Sequence, residues 1–196
     1  RGLGDVYKRQ HICFRRNERL ATVNPHWRGN PVVRGKFVNR QHRFRPGMGS
    51  VLKWRLSPNP QRKEKKSVKW SPKLNYLRSL DGVVGNSLIW LGHNSFFLQL
   101  GRKRIMFDPV FGDIPFVKRQ SDFPANPDIF TDIDYLLISH DHFDHLDKQS
   151  VARLVKNNPG MKLFCGLGTG ELIKGWFPEF EVTEAGWYQP VSYTHL

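Results

Sequence analysis

The chain has 196 residues, of which 39% are hydrophobic, enough for one domain with a sizeable core and too many for wholesale disorder. Its net charge is +14 and unevenly placed, because residues 1–79 hold 21 Lys or Arg against 3 Asp or Glu, whereas residues 80–196 hold 10 against 14. No apolar run approaches the roughly 20 residues of a membrane span, and the N-terminus lacks the apolar segment of a secretory signal.

The basic first part has two interpretations: a solvated or packing extension, or a surface for nucleic acid or an anionic membrane. Aromatic residues interleave with its charges, but no nucleic-acid reader motif is present. The sequences RGLGDVYKRQ (1–10) and PVSYTHL (190–196) resemble translated adapter sequence. We therefore expect a non-native leader at 1–10, a basic N-terminal arm at 11–86, a truncated domain at 87–189 and a non-native tail at 190–196.

The arm is rich in Arg, Asn, Pro and Gly, and we expect it to be irregular with short helical or strand pieces. From residue 87 the pattern changes. The segments SLIWLG (87–92), FFLQLG (96–101) and RIMFDPV (104–110) are short apolar runs separated by turn residues, which predicts three strands in an antiparallel meander. An irregular, Pro-containing loop follows, and DYLLIS (134–139) predicts a strand buried on both faces.

The remainder alternates helices and strands. The segment after Asp147 predicts a helix, with Asp147 as its N-cap and an apolar stripe of Val151, Leu154 and Val155. KLFCGL (162–167) predicts a strand that buries Cys165, and a short helix and a further strand follow. The two cysteines form no CxxC pair, which favours a reducing compartment. The order of elements indicates the α/β class, with helices covering a sheet.

Four side chains of metal-ligand type, His140, His142, Asp144 and His145, lie within six residues directly after the buried strand. The ends of strands are where α/β proteins build sites. Because residues two apart in an extended stretch point the same way, His140 and His142 can share one metal, whereas Asp144 and His145 suit a second ion. Imidazole and carboxylate ligands suit zinc and also manganese and iron. The alternative is a polar loop that is rich in His.

The segment SHDHFDH (139–145) matches the H-x-H-x-D-H signature and thereby resembles the metallo-β-lactamase fold superfamily. Residues 89–113 resemble a narrower branch, which contains hydrolases similar to N-acylphosphatidylethanolamine phospholipase D and ascorbate-6-phosphate lactonase. RGKFVN (34–39) and LKWRLSPNPQRKEKK (52–66) resemble the arm of the phospholipase-like members. The resemblance implies the N-terminal half of an αββα metallo-β-lactamase-type sandwich, preceded by the basic irregular arm.

The resemblance also implies two Zn²⁺ per complete site, with Mn²⁺ or Fe as alternatives. His140 and His142 would bind the first metal, and Asp144 and His145 the second, while the family's remaining ligands follow residue 190. Asp144 would also orient the nucleophile, a hydroxide bound to the metals. His93 either lines this site or is a structural turn residue, and we assign it with Asp144 to the catalytic group.

Three neighbouring features stay open at this point. Asp108 has either a hydrogen-bonding role near the metal loop or an Asx-turn role. Asp141 either orients a His or is a solvated charge. The apolar loop around Phe111 and 114–117 either forms a lip for an acyl chain or packs over the arm.

We therefore expect the parent protein to be a metal-dependent hydrolase of a lipid phosphodiester or lactone, with the 196-residue piece itself inactive. We expect it to be cytoplasmic, peripheral to the inner membrane through contact of the basic arm with anionic lipid. A nucleic-acid-processing hydrolase and a non-catalytic protein of the same fold are the alternatives.

Overall fold

The computed structural model describes residues 12–39, 47–68, 73–115, 118–119 and 121–190. The predicted leader and residues 191–196 of the predicted tail lie outside the described residues. The chain divides into two compact units, one of Arg1–Phe14 with Asn30–Pro72 and one of Arg15–Gly29 with Lys73–Leu196. In the described part of the chain, none of the helices combines the length and hydrophobicity that a membrane crossing needs.

The N-terminal part forms short elements, as expected for the arm. Strands β1 (Cys13–Arg15), β2 (Asn30–Val33) and β3 (Lys36–Phe37) form a three-stranded sheet in that order. Helices α1 (Met48–Leu56) and α2 (Arg62–Ser67) follow, and neither contains a buried residue.

A six-stranded sheet organises the second unit. Its strands are β4 (Ser87–Gly92), β5 (Ser95–Leu100), β6 (Lys103–Phe107), β7 (Tyr135–Ile138), β8 (Lys162–Gly166) and β9 (Val182–Ala185), adjacent in sequence order. Strands β4 to β6 pair antiparallel, which confirms the predicted meander, and β6 to β9 pair parallel. A short 3-10 helix, Pro127–Ile129, lies in the connection to β7.

Two helices cover one face of this sheet. Helix α3 (Lys148–Asn157) is capped by Asp147, whose side chain accepts a hydrogen bond from Ser150 N, and α4 is Thr169–Trp176. The predicted stripe of α3 is largely confirmed, since Val151 and Leu154 are buried. They pack in one core with four sheet residues that are cross-strand neighbours on adjacent strands: Phe97, Met106, Leu136 and Leu163. The predicted α/β class is confirmed.

The opposite face of the sheet is also apolar. Cross-strand register places its side chains in rows, and we call the set formed by Leu88, Trp90, Phe96, Leu98, Ile105, Phe107 and Leu137 the open face. Leu88 and Trp90 are 66% and 56% exposed, and the other members are partly buried. The sheet therefore buries one apolar face under helices and presents the other partly to solvent.

The strand directions bring three separate segments to one edge of the sheet. Parallel β6 and β7 both end there, so Asp108 and Ser139 leave the sheet side by side. Strand β5 runs antiparallel to β6 and begins at this edge, which places the β4–β5 turn, with His93, beside them. The prediction that His93 lies at the same rim as the His cluster is thereby explained by topology.

Candidate metal centre

The candidate site is a cluster of imidazoles at this edge. The ring centroids of His140 and His142 are 4.5 Å apart, and those of His140 and His145 are 4.0 Å apart. The ring of His93 lies 6.3 Å from that of His145. The structure therefore brings together all three His of the motif, together with His93 from a turn about 50 residues earlier.

A chain of hydrogen bonds centred on Asp108 supports this cluster. The Oδ2 atom of Asp108 accepts from Ser139 Oγ at 2.6 Å and from His145 Nδ1 at 2.8 Å. Its Oδ1 atom accepts from Ser139 N at 2.7 Å. Because the hydroxyl proton of Ser139 points to the carboxylate, its oxygen can accept from His140 Nδ1, 2.9 Å away. Asp108 thus orients His145 directly and His140 through Ser139.

These contacts specify a tautomer for both imidazoles. A carboxylate only accepts hydrogen bonds, so His145 carries its proton on Nδ1 and leaves Nε2 with a lone pair. The contact of His145 Nε2 with Asn94 Nδ2 at 3.1 Å agrees, because an amide nitrogen can only donate. The same reasoning leaves His140 with a lone pair on Nε2. A nitrogen lone pair is what a metal requires of an imidazole.

The predicted catalytic pair, His93 and Asp144, is in direct contact. His93 Nε2 lies 3.0 Å from Asp144 Oδ2 and donates to it, and His145 Nε2 lies 3.6 Å from the same oxygen. The hydrogen bond from His93 lowers the pKa of the Asp144 carboxyl, against the opposing effect of desolvation. Asp144 is therefore held in its ionised form.

The turns that carry these residues are strained and tied together. His93 and Asp108 have positive φ angles of 52° and 40°, a conformation that costs energy in residues other than Gly and is often found at functional sites. Buried Ser95 links the two turns, since its Oγ donates to Asp108 O at 2.7 Å and accepts from Val110 N at 2.9 Å. Trp90 Nε1 donates to His93 O at 2.8 Å.

The side chain of Arg119 also links the two turns. Its guanidinium donates to Leu91 O at 2.8 Å through Nη2 and to Val110 O at 3.0 Å through Nη1. It also lies over the ring of Phe123, 5.3 Å from the centroid. The two carbonyls belong to the chain segments that enter the His93 turn and leave the Asp108 turn, so one side chain joins both.

The donor chemistry of the cluster fits a divalent metal ion. Burial, and secondarily the neighbouring His145 and His142, lower the pKa of His140, which keeps its imidazole neutral. Neutral imidazoles and an ionised carboxylate are zinc-binding forms. Over the residues that the structure describes, no three His, Cys, Asp or Glu side chains already have the arrangement that holds an ion. His140 and Asp144 are therefore held in metal-binding protonation states. Hydrogen bonds join His140 to Ser139, and His145 to Asp108 and Asn94.

Sequence reasoning identified the cluster and His93 but not the full supporting set. Asp108 takes the hydrogen-bonding role that was one of its two interpretations, while Asp141 is exposed. Ser139 and Asn94 were missed as site residues, although both stand in the segments SHDHFDH and GHNS; a polar residue adjoining a ligand His was the available signal. The assignments of metal ligands and catalytic residues themselves stay predictions.

A cleft of about 540 Å³ lies next to the start of α3. Its walls include Ile114, Pro115 and Asp147, and Asp147 is two residues beyond His145. Phe111 also reaches the cleft but is mostly buried, stacked 5.8 Å from Phe130. The apolar loop therefore contributes to the core through Phe111, whereas residues 116–117 lie outside the described part.

Comparison with known proteins agrees with this fold. Residues 103–195 match the family model described as the beta-lactamase superfamily domain. An N-acyl-phosphatidylethanolamine-hydrolyzing phospholipase D from Caenorhabditis elegans is 28% identical over 177 residues, 80% of this chain and 50% of that protein. A UPF0173 metal-dependent hydrolase from Saccharolobus solfataricus is 35% identical over 78 residues, 40% of this chain and 31% of its own length.

Among solved structures, the isothiocyanate hydrolase from Delia radicum gut bacteria is 18% identical, with a TM-score of 0.42 over 49% of this chain and 40% of that one. The family match and the sequence relatives support a metallo-β-lactamase-type fold for this chain. The chain is similar both to the phospholipase D and to the metal-dependent hydrolases. The chain spans half the length of the first of these relatives and about a third of the second.

Proposed function

We propose that this chain carries metal ligands of a metal-dependent hydrolase of the metallo-β-lactamase fold. The observation that carries the proposal is the hydrogen-bond chain from Asp108, which leaves the Nε2 atoms of His140 and His145 as lone-pair donors in one cluster. A structural His cluster would not need both rings in this tautomer. The similarity to a UPF0173 metal-dependent hydrolase supports the same reaction class.

In this proposal, His140 and His142 hold one metal, and Asp144 and His145 hold a second. Zinc suits this mixture of imidazole and carboxylate, although manganese and iron accept the same donors. A bound divalent metal would lower the pKa of water and polarise the bond to be hydrolysed. Asp108 and Ser139 keep the rings oriented for this task.

In this proposal, His93 and Asp144 orient the water that attacks the substrate. Ionised Asp144 can accept a hydrogen bond from an attacking water and so orient it, and His93 keeps this carboxylate charged and aligned. The ring of His93 is partly exposed, so it can also contact a substrate. Both residues approach from the edge of the sheet, where a ligand can enter.

For substrate, we propose a lipid phosphodiester, supported by the similarity to a phospholipase D over 80% of the chain. A lactone is the second candidate, from the resemblance to the lactonases described above. The cleft beside Asp147, with apolar Ile114 and Pro115 in its walls, offers room for part of a small substrate.

The primary test is metal binding rather than turnover. Titration calorimetry with Zn²⁺, Mn²⁺ and Fe²⁺ is compared for the native chain and for His140→Ala and His145→Ala. We expect each substitution to weaken binding about tenfold or more, as loss of a ligand or of its orientation does. His26→Ala is the matched control, because His26 is exposed and distant in sequence from the cluster. Equal affinity in all four proteins would remove the basis of the proposal.

Turnover is tested separately with bis(p-nitrophenyl) phosphate, a lipid phosphodiester and a lactone. The prediction that the 196-residue chain alone is inactive stays a prediction. Metal-dependent hydrolysis by this chain that is lost in His142→Ala would contradict the predicted inactivity and support the proposed ligand role.

A further inference from the structure

Helix α1 exposes large apolar side chains. Met48, Leu52 and Leu56 follow one another at intervals of four residues and so lie along one side of the helix. They are 84%, 58% and 74% exposed, and Trp54 is 78% exposed. No residue of this helix is buried. Large apolar side chains grouped in this way mark an interaction surface.

The same segment is strongly basic. Residues 47–68, which include α1 and α2, contain six Lys or Arg and one Glu, for a net charge of +5. Lys53 and Arg55 flank Trp54 in α1, and α2 carries Arg62, Lys63, Lys65 and Lys66. The helices therefore combine an apolar stripe with a dense positive charge, and a Pro-containing loop of five residues joins them.

We propose that residues 47–68 dock on the surface of an anionic lipid bilayer. Charge complementarity selects the occupant, because Lys and Arg in this segment would face acidic headgroups. Met48, Leu52 and Leu56 would enter the boundary between headgroups and acyl chains, as the apolar face of an interfacial helix does. Trp54 lies on the other side of the helix, two residues from both Leu52 and Leu56, and is not part of this stripe. This inference does not depend on the proposed hydrolase activity.

The apolar stripe favours lipid over nucleic acid. A polyanion reader would meet phosphates with Lys and Arg and stack bases on aromatic rings, but it gains little from exposed Met and Leu. Aliphatic side chains in water gain most from an apolar phase, which a bilayer supplies and a nucleic acid does not. The proposal therefore requires both halves of the surface, the charge and the aliphatic stripe, to contribute to binding.

The test is co-sedimentation of the 196-residue protein with two kinds of vesicle, phosphatidylcholine alone and phosphatidylcholine with about one third phosphatidylglycerol. We expect binding to the anionic vesicles, weakened by salt as surface charges are screened. Leu52→Ser with Leu56→Ser should weaken it about tenfold or more, through loss of buried apolar area. Replacing Lys63, Lys65 and Lys66 by Gln should have a similar effect.

Val84→Ser is the matched control for the apolar change, because Val84 is 81% exposed and lies outside residues 47–68. Arg102→Gln is the control for charge, since Arg102 is also exposed and outside the segment. Both should bind as the native protein does. Because all the substituted side chains are exposed, thermal unfolding should be unchanged in every variant, which separates loss of docking from loss of fold.

Three results would overturn the proposal. One is vesicle binding that the Leu52 and Leu56 substitutions leave intact. Another is tighter, more salt-sensitive binding to a single-stranded oligonucleotide than to anionic vesicles. The third is self-association of the native protein that the same two substitutions abolish, which would make the stripe an interface between two copies.

Discussion

The carboxylate of Asp108 lies 2.8 Å from His145 Nδ1 and is bound to Ser139 on both of its oxygens. One acidic side chain at the end of β6 therefore controls the orientation of two imidazoles at the end of β7. The contact is possible because β6 and β7 are parallel neighbours, so that both strands end at the same edge. Asp108 is not itself one of the assigned ligands, but the proposed metal site depends on it.

Asp108→Asn should therefore weaken Zn²⁺ binding while leaving the fold intact. The amide has a single acceptor oxygen, so it cannot hold Ser139 N, Ser139 Oγ and His145 Nδ1 as the carboxylate does. We expect a 10- to 100-fold loss of metal affinity, roughly the usual effect of removing such a partner. Calorimetry measures the affinity, and nitrogen-15 NMR of the imidazoles reports the tautomer of His145.

Asp132→Asn is the matched control, because Asp132 also has a positive φ angle, of 54°, but is exposed. Asn tolerates this backbone conformation, so a loss caused by backbone strain alone would appear in both variants. An unchanged His145 tautomer in Asp108→Asn would contradict the assignment.

Much of this could be predicted from the sequence because the signals are local. Apolar runs, turn residues and the cap at Asp147 specify the order of strands and helices, and the spacing of His140, His142, Asp144 and His145 predicts the metal ligands. The support of Asp108 for His145 spans 37 residues. It depends on which strands become neighbours, and neither the periodicity of β6 nor that of β7 contains that information.

Arg119 illustrates a second limit of sequence reasoning. It lies in a loop of no recognisable pattern, yet its guanidinium bridges Leu91 O and Val110 O, and burial lowers its pKa. Arg119→Lys should destabilise the protein by about 1–3 kcal/mol, because a single ammonium cannot reproduce the planar fork and leaves a carbonyl unpaired. Urea unfolding measures this change, and Arg102→Lys, at an exposed position, should show none.

The two thiols should differ sharply in reactivity. Burial, with a smaller contribution from Glu184, raises the pKa of Cys165 to about 12, so the nucleophilic thiolate is scarce at neutral pH. Cys13 is exposed. We expect dithionitrobenzoate at pH 8 to modify one thiol in the folded protein and two in guanidinium. Cys13→Ser should abolish the fast reaction, and fast modification that survives this substitution would show that Cys165 is accessible.

Acid should break the ion pair between Arg153 of α3 and Asp128 of the 3-10 helix. Arg153 donates to both oxygens of Asp128, at 2.6 and 2.8 Å, and this hydrogen bonding lowers the pKa of the Asp128 carboxyl. The pKa of Asp128 is lower in the folded than in the unfolded protein. The ion pair therefore stabilises the fold fully at pH values above the unfolded-state pKa, and this stabilisation is lost as the pH falls through the folded-state pKa. Carbon-13 NMR titration should show the Asp128 midpoint moving up in Arg153→Gln and staying in place in Arg102→Gln.

The open face of the sheet bears on how the stability of this chain is measured. Its neighbouring rows of Leu, Phe and Trp side chains, with Leu88 and Trp90 more than half exposed, form a surface that gains free energy by meeting another apolar surface. Whatever binds only the folded chain raises its apparent stability by mass action. A second molecule stacked on this face would do so by an amount that grows with the logarithm of the protein concentration. If copies associate through this face, the melting temperature depends on protein concentration, so each unfolding curve is measured over a dilution series.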